Sequence, residues 1–333
     1  MPFELVPPGT NINFLGQRRI CLAISIGLIL LGGIFALPQV KGVKVGLDFA
    51  GGTEMQLLFD EGVSVDESAI RDVAHGAGFV DASVVRLGEA GEREFMIKFK
   101  DASGVVVSEE LGGEGLVANS RVIELERAIR GAIGDFTEQR VEYVGPRVGA
   151  ELREDGAKAL LYSAIVILIY VTFRFNSRFA PGAVVAVIHD LAITAGVLVM
   201  LGVEFDLRIL AAMLAILGYS LNDTIIIYDR IRENMELHTT ADLEETLNAS
   251  VNQTLSRTVL TSLTTIVVLL SLYFLGGRVI QPFASTMLIG VVVGTYSSVF
   301  IASPLLLFLE ERYGATGSKN QQKGAGVNKT VRA

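Results

Sequence analysis

The sequence predicts an α-helical membrane protein with six transmembrane helices and one exported α+β ferredoxin-like (βαββαβ) domain. Half of the 333 residues are apolar, and mean hydropathy is strongly positive, which a water-soluble chain of this length does not need. Six separate apolar stretches come near the length of about 20 residues that crosses a bilayer. A long segment of mixed composition, 40–155, separates the first two stretches.

The first predicted span, 20–37, contains no charged residue and follows Arg18 and Arg19. It is long for the apolar region of a signal peptide, and no clear small-x-small cleavage site follows it. We therefore expect a retained signal anchor, and a cleaved leader is the alternative. The other predicted spans cover 157–173, 179–203, 208–228, 258–277 and 280–309.

Lysine and arginine near the ends of the spans predict the orientation, because they are more frequent on the cytoplasmic side. With the N-terminus in the cytoplasm, the short loops on the opposite side hold only Arg208 and Arg278. Both termini are then cytoplasmic, and 40–155 lies outside. The cytoplasmic segments besides the short loop after the second span are 1–19, 229–257 and the basic tail 310–333.

The outer segment 40–155 is predicted to be a small mixed domain. It carries 23 acidic and 13 basic residues, which gives no basis for nucleic-acid binding. A Gly-rich stretch, 103–115, is expected to be an insertion before the second helix. Alternating patterns predict strands and periodic patterns predict helices in the order β-α-β-β-α-β, a split βαβ unit. The elements are 54–59 (strand), 65–77 (helix), 82–87 and 94–100 (strands), 122–133 (helix) and 139–144 (strand).

The cytoplasmic loop 229–257 contains a predicted amphipathic helix. Apolar residues recur there every four positions, and Thr239 with Asp242 resembles a capping box at its start. Such a helix can lie on the membrane face or pack against the ends of the bundle. We expect the second arrangement. The periodic residues are Leu243, Leu247, Val251 and Leu255.

Asp223 is the main candidate functional residue, because a charged side chain inside a span is costly and indicates function by default. It shares a helix face with Tyr219, Ile226 and Arg230. A carboxylate withdrawn from water can exchange protons, and the alternative is a permanently neutral Asp bonded to neighbouring helices. We expect nearby polar side chains to support it: Ser220, Asn222, Thr224 and Thr261.

Arg257 begins the fifth predicted span, and a polar stripe of Thr261, Thr264 and Thr265 follows on its face. Such a stripe is typical of a helix that faces a bundle interior. Because the guanidinium stays protonated, Arg257 can bias Asp223 electrostatically. The alternative is an arginine that reaches lipid phosphates at the end of its helix.

His189 and Asp190 lie halfway along the third predicted span. A buried histidine can relay protons, but adjacent residues point about 100° apart on a helix, so the two need not face each other. A structural role is equally open.

Gly290 and Gly294 predict a close helix contact in the last span. The sequence shows no metal cluster, no nucleophile with a base and no phosphate loop. We therefore expect a protein that is not an enzyme and that has no catalytic residue, cofactor or metal.

Several motifs resemble one family. Residues 46–53 resemble the G-x-D-F-x-G-G-T signature of the SecD/SecF family, and 144–149 its V-G-P-x-V-G element. Residues 218–224 and 229–234 resemble the G-Y-S-x-N-D-T and D-R-I-R-E-N runs of SecF-type members. Residues 252–262 resemble the segment that enters the family's fifth span. The motifs occur in the family's order on the predicted topology, which makes the resemblance specific.

The resemblance covers about 14–313 and implies a half-transporter of the resistance-nodulation-division superfamily in the bacterial inner membrane. SecF-type members pair with SecD and act beside the SecYEG channel, and YajC and SecA-driven preproteins are further implied partners. The family uses the proton-motive force to promote late stages of preprotein translocation. It assigns proton coupling to the residues that match Asp223 and Arg257, and nothing equally firm to His189 and Asp190.

Two other functions stay open. One is a proton-coupled exporter of small molecules or lipids from the same superfamily, although such exporters usually carry both six-span halves in one chain. The other is a passive scaffold of the translocase. The presence of Asp223 argues against the scaffold function, because a scaffold does not need a buried titratable group.

Overall fold

The computed structural model describes residues 7, 9–63, 65–87, 93–100, 120–175, 178–237 and 242–314. Contacts within the chain divide it into two compact units. A helical unit comprises Met1–Lys44 and Ala157–Ala333, and a smaller unit comprises Val45–Gly156. The predicted insertion 103–115, Thr239 of the predicted capping box and the tail beyond 314 lie outside the described residues.

In the described ranges the elements follow one another in the order α1 (Arg18–Ala36), α2 (Leu47–Ala50), β1 (Gly52–Phe59), α3 (Glu67–Gly76), β2 (Ser83–Leu87), β3 (Glu94–Phe99), α4 (Ser120–Ala132), β4 (Phe136–Val144), α5 (Pro146–Arg174), α6 (Ala180–Leu201), α7 (Leu207–Leu237), α8 (Leu243–Leu275), α9 (Gly277–Ser297) and α10 (Ser303–Leu309). A 3₁₀ turn, Leu15–Gln17, precedes α1, and π-helical turns cover Ser298–Ala302 and Glu310–Gly314.

The smaller unit confirms the predicted β-α-β-β-α-β order. Its four strands form one sheet in the order β2-β3-β1-β4, in which every paired neighbour is antiparallel. This is the arrangement of a ferredoxin-like fold. Alternate residues of the central strands point into one core, because side chains in a strand alternate between faces. The apolar core residues of β1 and β3 are Met55, Leu57, Phe59, Phe95, Ile97 and Phe99.

Helices α3 and α4 cover that core with an apolar stripe each. Helix α3 begins after Asp66, whose carboxylate accepts a hydrogen bond from the Ala69 backbone N–H at 2.8 Å. This N-cap satisfies a donor that the helix itself leaves free. The Ala69 bond, and then the Ser68 hydroxyl, hold the pKa of Asp66 below its usual value. Ile70 of α3 and Leu125 of α4 are fully buried in the shared core.

The two glycine-rich segments at the ends of the smaller unit pack against each other. Gly51 has φ +73°, and a Cβ there would lie 2.8 Å from the Cα of Pro146. A Cβ on Gly149 would lie 3.0 Å from the Gly51 backbone nitrogen. Only glycine allows both the backbone conformation and the close approach. The segments 46–53 and 144–149, distant in the sequence, therefore form one structural feature.

The helical unit confirms a protein that crosses the membrane several times. Among the described residues, six helices are long and apolar enough to span a bilayer, and each overlaps one of the six predicted spans. The last one, Gly277–Arg312, runs through α9, a π-helical turn and α10. A π-helical turn interrupts the regular hydrogen-bond ladder and often marks a functional position. Here it brings the Ala302 carbonyl to 3.0 Å from the hydroxyl of Tyr228 on α7, which donates to it.

Helices α7 and α8 continue well beyond the predicted spans into the loop 229–257. The predicted amphipathic helix is the first part of α8, and Asp242 is its N-cap. Leu247 and Val251 are buried in the core of the helical unit. Asn248 accepts a hydrogen bond from the Phe14 backbone N–H at 2.9 Å. Of the two arrangements left open by the sequence, the structure therefore has the helix packed on its own protein.

One ionisable group of the smaller unit makes its stability depend on pH. Burial, and then a hydrogen bond and charge repulsion from Glu138, raise the pKa of Glu126. The folded state thus binds this proton more tightly than the unfolded chain, so the stabilisation is present at low pH and is lost as the pH rises through the folded pKa. Since Glu126 is only partly buried, we expect Glu126→Gln to stabilise the unit near neutral pH by only about 0.5 kcal/mol.

Thermal unfolding of Val45–Gly156, expressed alone, measures this effect. The unit is expected to unfold cooperatively, and Glu138→Gln should act like Glu126→Gln because it removes the same repulsion. Asp66→Asn is the control of opposite sign. Because the folded unit lowers the pKa of Asp66, the ionised carboxylate stabilises the unit at pH values above the unfolded pKa. The variant should therefore lose stability near neutral pH. A Glu126→Gln variant that gains stability only in acid would contradict the assignment.

Candidate functional site

The candidate site lies inside the helical unit, where α6, α7, α8 and α9 each contribute polar side chains to an apolar bundle. Two carboxylates occupy it: Asp190 of α6 is 0% exposed and Asp223 of α7 is 1% exposed. The helix period places Ser220, Asp223, Thr224 and Ile227 on the buried face of α7. The site is thus built from a polar stripe on a helix whose other buried residues are mostly aliphatic.

Asp223 has few hydrogen bonds for a buried carboxylate. Its Oδ2 accepts one long bond, 3.5 Å, from the Ser262 hydroxyl of α8. Ser262 also shares a hydrogen bond of 2.7 Å with the Thr295 hydroxyl of α9. Oδ1 is buried and has no hydrogen-bond partner in the described ranges. An ionised carboxylate in apolar surroundings is costly unless donors satisfy it, whereas a proton can bind at Oδ1 without displacing any contact.

Asp190 is held by three groups. Its Oδ2 accepts hydrogen bonds from the hydroxyls of Ser220 on α7 and Ser297 on α9, the latter at 2.7 Å. Its Oδ1 lies 2.8 Å from Nδ1 of His189. The sequence argument that adjacent residues need not face each other therefore does not apply here, because the ring and the carboxylate do meet. Nε2 of His189 is buried without a partner in the part of the chain that the structure describes.

Glycines allow α9 to approach α7 at this site. A Cβ on Gly294 would lie 3.1 Å from Cβ of Ser220, and one on Gly290 would overlap Ile216. Side chains at these positions would separate the helices and remove Ser297 from Asp190. The close helix contact expected from the glycine spacing is thus where the Asp190 hydrogen bonds form.

Arg257 is not in contact with Asp223. Its side chain is exposed, whereas within the described residues Oδ1 of Asp223 is buried without a partner and Oδ2 bonds Ser262. Arg257 precedes Ser262, the residue that reaches Asp223, by five positions or about 7.5 Å along α8. Thr261 donates to the Arg257 carbonyl at 3.0 Å, and so its hydroxyl serves its own helix. The structure therefore separates the two residues that the resemblance pairs.

The other predicted supporting residues occupy different surroundings. Asn222 is exposed on the surface of α7, and its side chain nevertheless lies near the Asp223 carboxyl. The Thr224 hydroxyl is buried and donates to the Ser220 carbonyl at 3.3 Å. Ser220 contacts Asp190, although it was expected beside Asp223. These assignments depend on which way each face of α7 points, and the sequence leaves that open.

Three residues that contact the carboxylates were not singled out from the sequence: Ser262, Thr295 and Ser297. The signal that could have found them is a small polar residue on the buried face of an otherwise apolar span. Among the described residues, no group of three or more His, Cys, Asp and Glu side chains is arranged to hold a metal ion. The chemistry that this arrangement offers is hydrogen bonding and proton exchange.

Comparison with known sequences identifies the family. The family model for the protein export membrane protein SecD/SecF, C-terminal, matches residues 124–312. The protein translocase subunit SecF of Vibrio alginolyticus is 40% identical over 92% of this chain and 92% of its own length. The corresponding subunit of Pseudomonas aeruginosa is 41% identical over 90% of this chain and 92% of its own.

Solved structures agree with this result. The crystal structure of the translocon-associated membrane protein SecDF from Thermus thermophilus superposes with a TM-score of 0.79 at 37% identity. It covers 93% of this chain, which spans 40% of the SecDF chain. SecDF in a super-membrane-facing form has a TM-score of 0.67 at 37% identity, with 96% and 41% covered. The chain therefore belongs to the SecD/SecF family of protein-export membrane proteins, among the SecF translocase subunits.

Proposed function

We propose that the chain pairs with SecD and uses the proton-motive force to promote late stages of preprotein translocation. A role in protein translocation follows from its family, and the SecDF relatives support SecD as the partner. The observation that carries the proton-driven part is Asp223, a buried carboxylate with one long hydrogen bond and one unpartnered oxygen in the described residues. Transport by a moving proton, with no chemistry on a substrate, is the function that such a site serves.

The surroundings of Asp223 suit a group that changes its protonation. Charged side chains inside membrane helices are rare and mark ion or proton pathways. A permanently neutral structural Asp would be expected to donate its proton to a partner, but Oδ1 has none in the described ranges. Ser262 and Thr295 hydroxyls beside Oδ2 can turn to donate to the anion or to accept from the acid. The same residues thus accommodate both protonation states.

The exposed polar groups on α7 and α8 support a partner in the membrane. Arg257, Asn222 and Thr264 lie on exposed faces of helices that otherwise present aliphatic residues. Polar side chains that face hydrocarbon are costly, because lipid offers them no hydrogen-bond partner. SecD helices that cover this face would remove that cost. The chain spans only 40% of its SecDF relatives, which is consistent with a SecD half beside it.

The separation of Asp223 from Arg257 suggests how protons drive movement. A guanidinium that approaches the carboxylate favours the anion, and a guanidinium that withdraws favours the protonated acid. Shifts of α7 relative to α8 would therefore couple proton uptake and release to helix position. One charge that crosses 100 mV supplies about 2.3 kcal/mol, enough to shift a two-state equilibrium more than tenfold.

The setting follows from the predicted topology. We propose a location in the bacterial inner membrane, with the segments 1–19, 229–257 and 310–333 in the cytoplasm and the domain 40–155 in the periplasm. SecYEG, and with it YajC and SecA-driven preproteins, are the further proposed partners. The matched relatives are translocase subunits, so an exporter of small molecules is not favoured. A passive scaffold would leave the buried Asp223 without a purpose.

Asp223→Asn tests the proton-driven function. The amide keeps the size of the side chain but cannot gain or lose a proton, so the variant is expected to assemble with SecD and to lose most gradient-dependent export. The stage driven by ATP should remain. Arg257→Lys should be impaired to a lesser degree, because a lysine ammonium does not reproduce the guanidinium fork. The measurement is preprotein completion in inverted vesicles with and without a proton gradient.

Asp229→Asn is the matched control, because Asp229 lies on the same helix but is exposed and pairs with Arg174 at 3.0 Å. It should respond to the gradient like the unchanged protein. If Asp223→Asn assembles normally and responds fully to the gradient, Asp223 is structural and the proton-driven function is wrong.

Labelling of single cysteines tests the topology. In a Cys21→Ala background, Val80→Cys on the smaller unit and Glu236→Cys near the end of α7 are both well exposed. A membrane-impermeant maleimide should label position 80 from the periplasm, and position 236 only after the cytoplasmic face is opened. Labelling of both positions from the periplasm of intact cells would overturn the orientation.

A further inference from the structure

His189 and Asp190 form a second buried ionisable pair, which the proposed function does not use. Asp190 is fully buried, and His189 is 6% exposed. The hydroxyls of Ser220 and Ser297 donate to Asp190 Oδ2, while Oδ1 lies 2.8 Å from Nδ1 of His189. One carboxyl group therefore connects α6 to both α7 and α9.

These hydrogen bonds restrict where a proton of the pair can sit. Oδ2 already accepts two hydroxyl hydrogens, so a proton belongs on the line between Oδ1 and Nδ1. It can reside on His189 beside an anionic Asp190, or on Asp190 beside a neutral His189. In either form the pair carries no net charge. Without the proton, the pair is an anion.

The groups that the described residues place around the pair cannot neutralise that anion. Tyr296 of α9 stacks on the His189 ring, with centroids 6.2 Å apart, and its hydroxyl donates to the Cys21 carbonyl of α1 at 2.8 Å. On α7, the carboxyl group of Asp223 lies about one helical turn from Ser220. Phenol, thiol and carboxyl groups cannot supply positive charge, and the described residues place no Lys or Arg in an ion pair with Asp190. Since an unpaired charge in the bundle interior is costly, the shared proton has a structural effect.

Ser220 connects this pair to Asp223. The two residues lie three positions apart on α7 and face the same way, because three residues make nearly one helical turn. Gly294 keeps the contact tight, since a Cβ there would lie 3.1 Å from Cβ of Ser220 and 3.6 Å from Asp190 Oδ2. A change in the hydrogen bond between Asp190 and Ser220 therefore acts on the turn of α7 that carries Asp223.

We propose that His189 and Asp190 form a second proton-binding site, which holds one proton between Nδ1 and Oδ1 and positions Asp223 through Ser220. The buried Nε2 of His189, unpartnered within the described ranges, is the atom through which the pair exchanges its proton. Loss of a proton from Nε2, with transfer of the shared proton to Nδ1, leaves neutral His189 beside anionic Asp190. This inference rests on the proposed function, in which Asp223 exchanges protons with the gradient.

Infrared difference spectroscopy during a pH titration tests the site without any export. The sample is the full chain with SecD in lipid nanodiscs. In His189→Gln the base is gone, so Asp190 must hold the proton alone, and a protonated-carboxyl band is expected near neutral pH that disappears in His189→Gln/Asp190→Asn. His75→Gln, at an exposed histidine of α3, should leave the protonated-carboxyl region of the spectrum unchanged. If Asp190 stays ionised in His189→Gln near neutral pH, the proposal is wrong.

The pH profile of gradient-dependent export gives the second readout. His189→Gln and Asp190→Asn are expected to shift the profile, because each changes a titrating group. Ser297→Ala removes a hydroxyl donor to the Asp190 carboxylate but keeps both titrating groups, so its shift should be smaller than theirs. Wild-type profiles in both titrating variants would overturn the proposal. If instead Asp223→Asn exports normally, the proposed function fails, and the infrared result alone decides on the His189–Asp190 site.

Discussion

A carboxyl group inside a bundle of apolar helices needs hydrogen-bond donors, a counter-charge or a proton, because lipid and aliphatic side chains supply none of them. The helical unit meets this requirement differently at two of its buried carboxyls, Asp190 and Asp223. Asp190 has two hydroxyl donors and a histidine, whereas Asp223 has one long bond and an unpartnered oxygen among the described residues. We propose that this difference separates their roles. Asp223 exchanges protons with the gradient, and Asp190, which shares its proton with His189, also connects three helices.

Close packing makes these hydrogen bonds possible. Hydroxyl groups are short, so Ser220 and Ser297 reach Asp190 only because Gly290 and Gly294 remove side chains from the contact between α7 and α9. The π-helical turn after α9 then lets the Tyr228 hydroxyl reach Ala302, which fixes the other end of the same contact. Small residues thus determine where polar groups meet, and the apolar surface determines that they stay buried. A movement of α7 against its neighbours would alter both carboxyl sites together.

The sequence predicted the architecture well, because the architecture depends on periodicity. The alternation in β1 and β3, the stripe around Leu125 and the six apolar stretches each have a local pattern. The site was predicted less completely, since contacts between helices depend on how each helix is rotated. Ser220 was expected beside Asp223 and bonds Asp190, and the partners Ser262, Thr295 and Ser297 have no local pattern that separates them from ordinary serines and threonines.

Two cases, the adjacent pair His189 and Asp190 and the single residue Arg257, show the limits of arguments from sequence spacing. Adjacent helical residues point about 100° apart, but Nδ1 lies close to the backbone and the Asp side chain is short, so His189 and Asp190 can still meet. Arg257 lies on the exposed face of α8, where a partner helix and not the spacing within this chain decides what it contacts. Both the fixed charge of Arg257 and the resemblance to the family predicted its pairing with Asp223, and in this structure Arg257 is exposed while Asp223 is buried.

The most direct test of the central claim, that Asp223 carries protons during export, is a measurement of proton flux. Inverted vesicles that contain the chain, SecD and the channel are energised, loaded with a pH-sensitive dye in the lumen, and supplied with a preprotein. We predict that protons leave the lumen faster while preprotein is being exported, and that Asp223→Asn abolishes this increase while the complex stays assembled. An equal increase in the Asp223→Asn vesicles would contradict the claim.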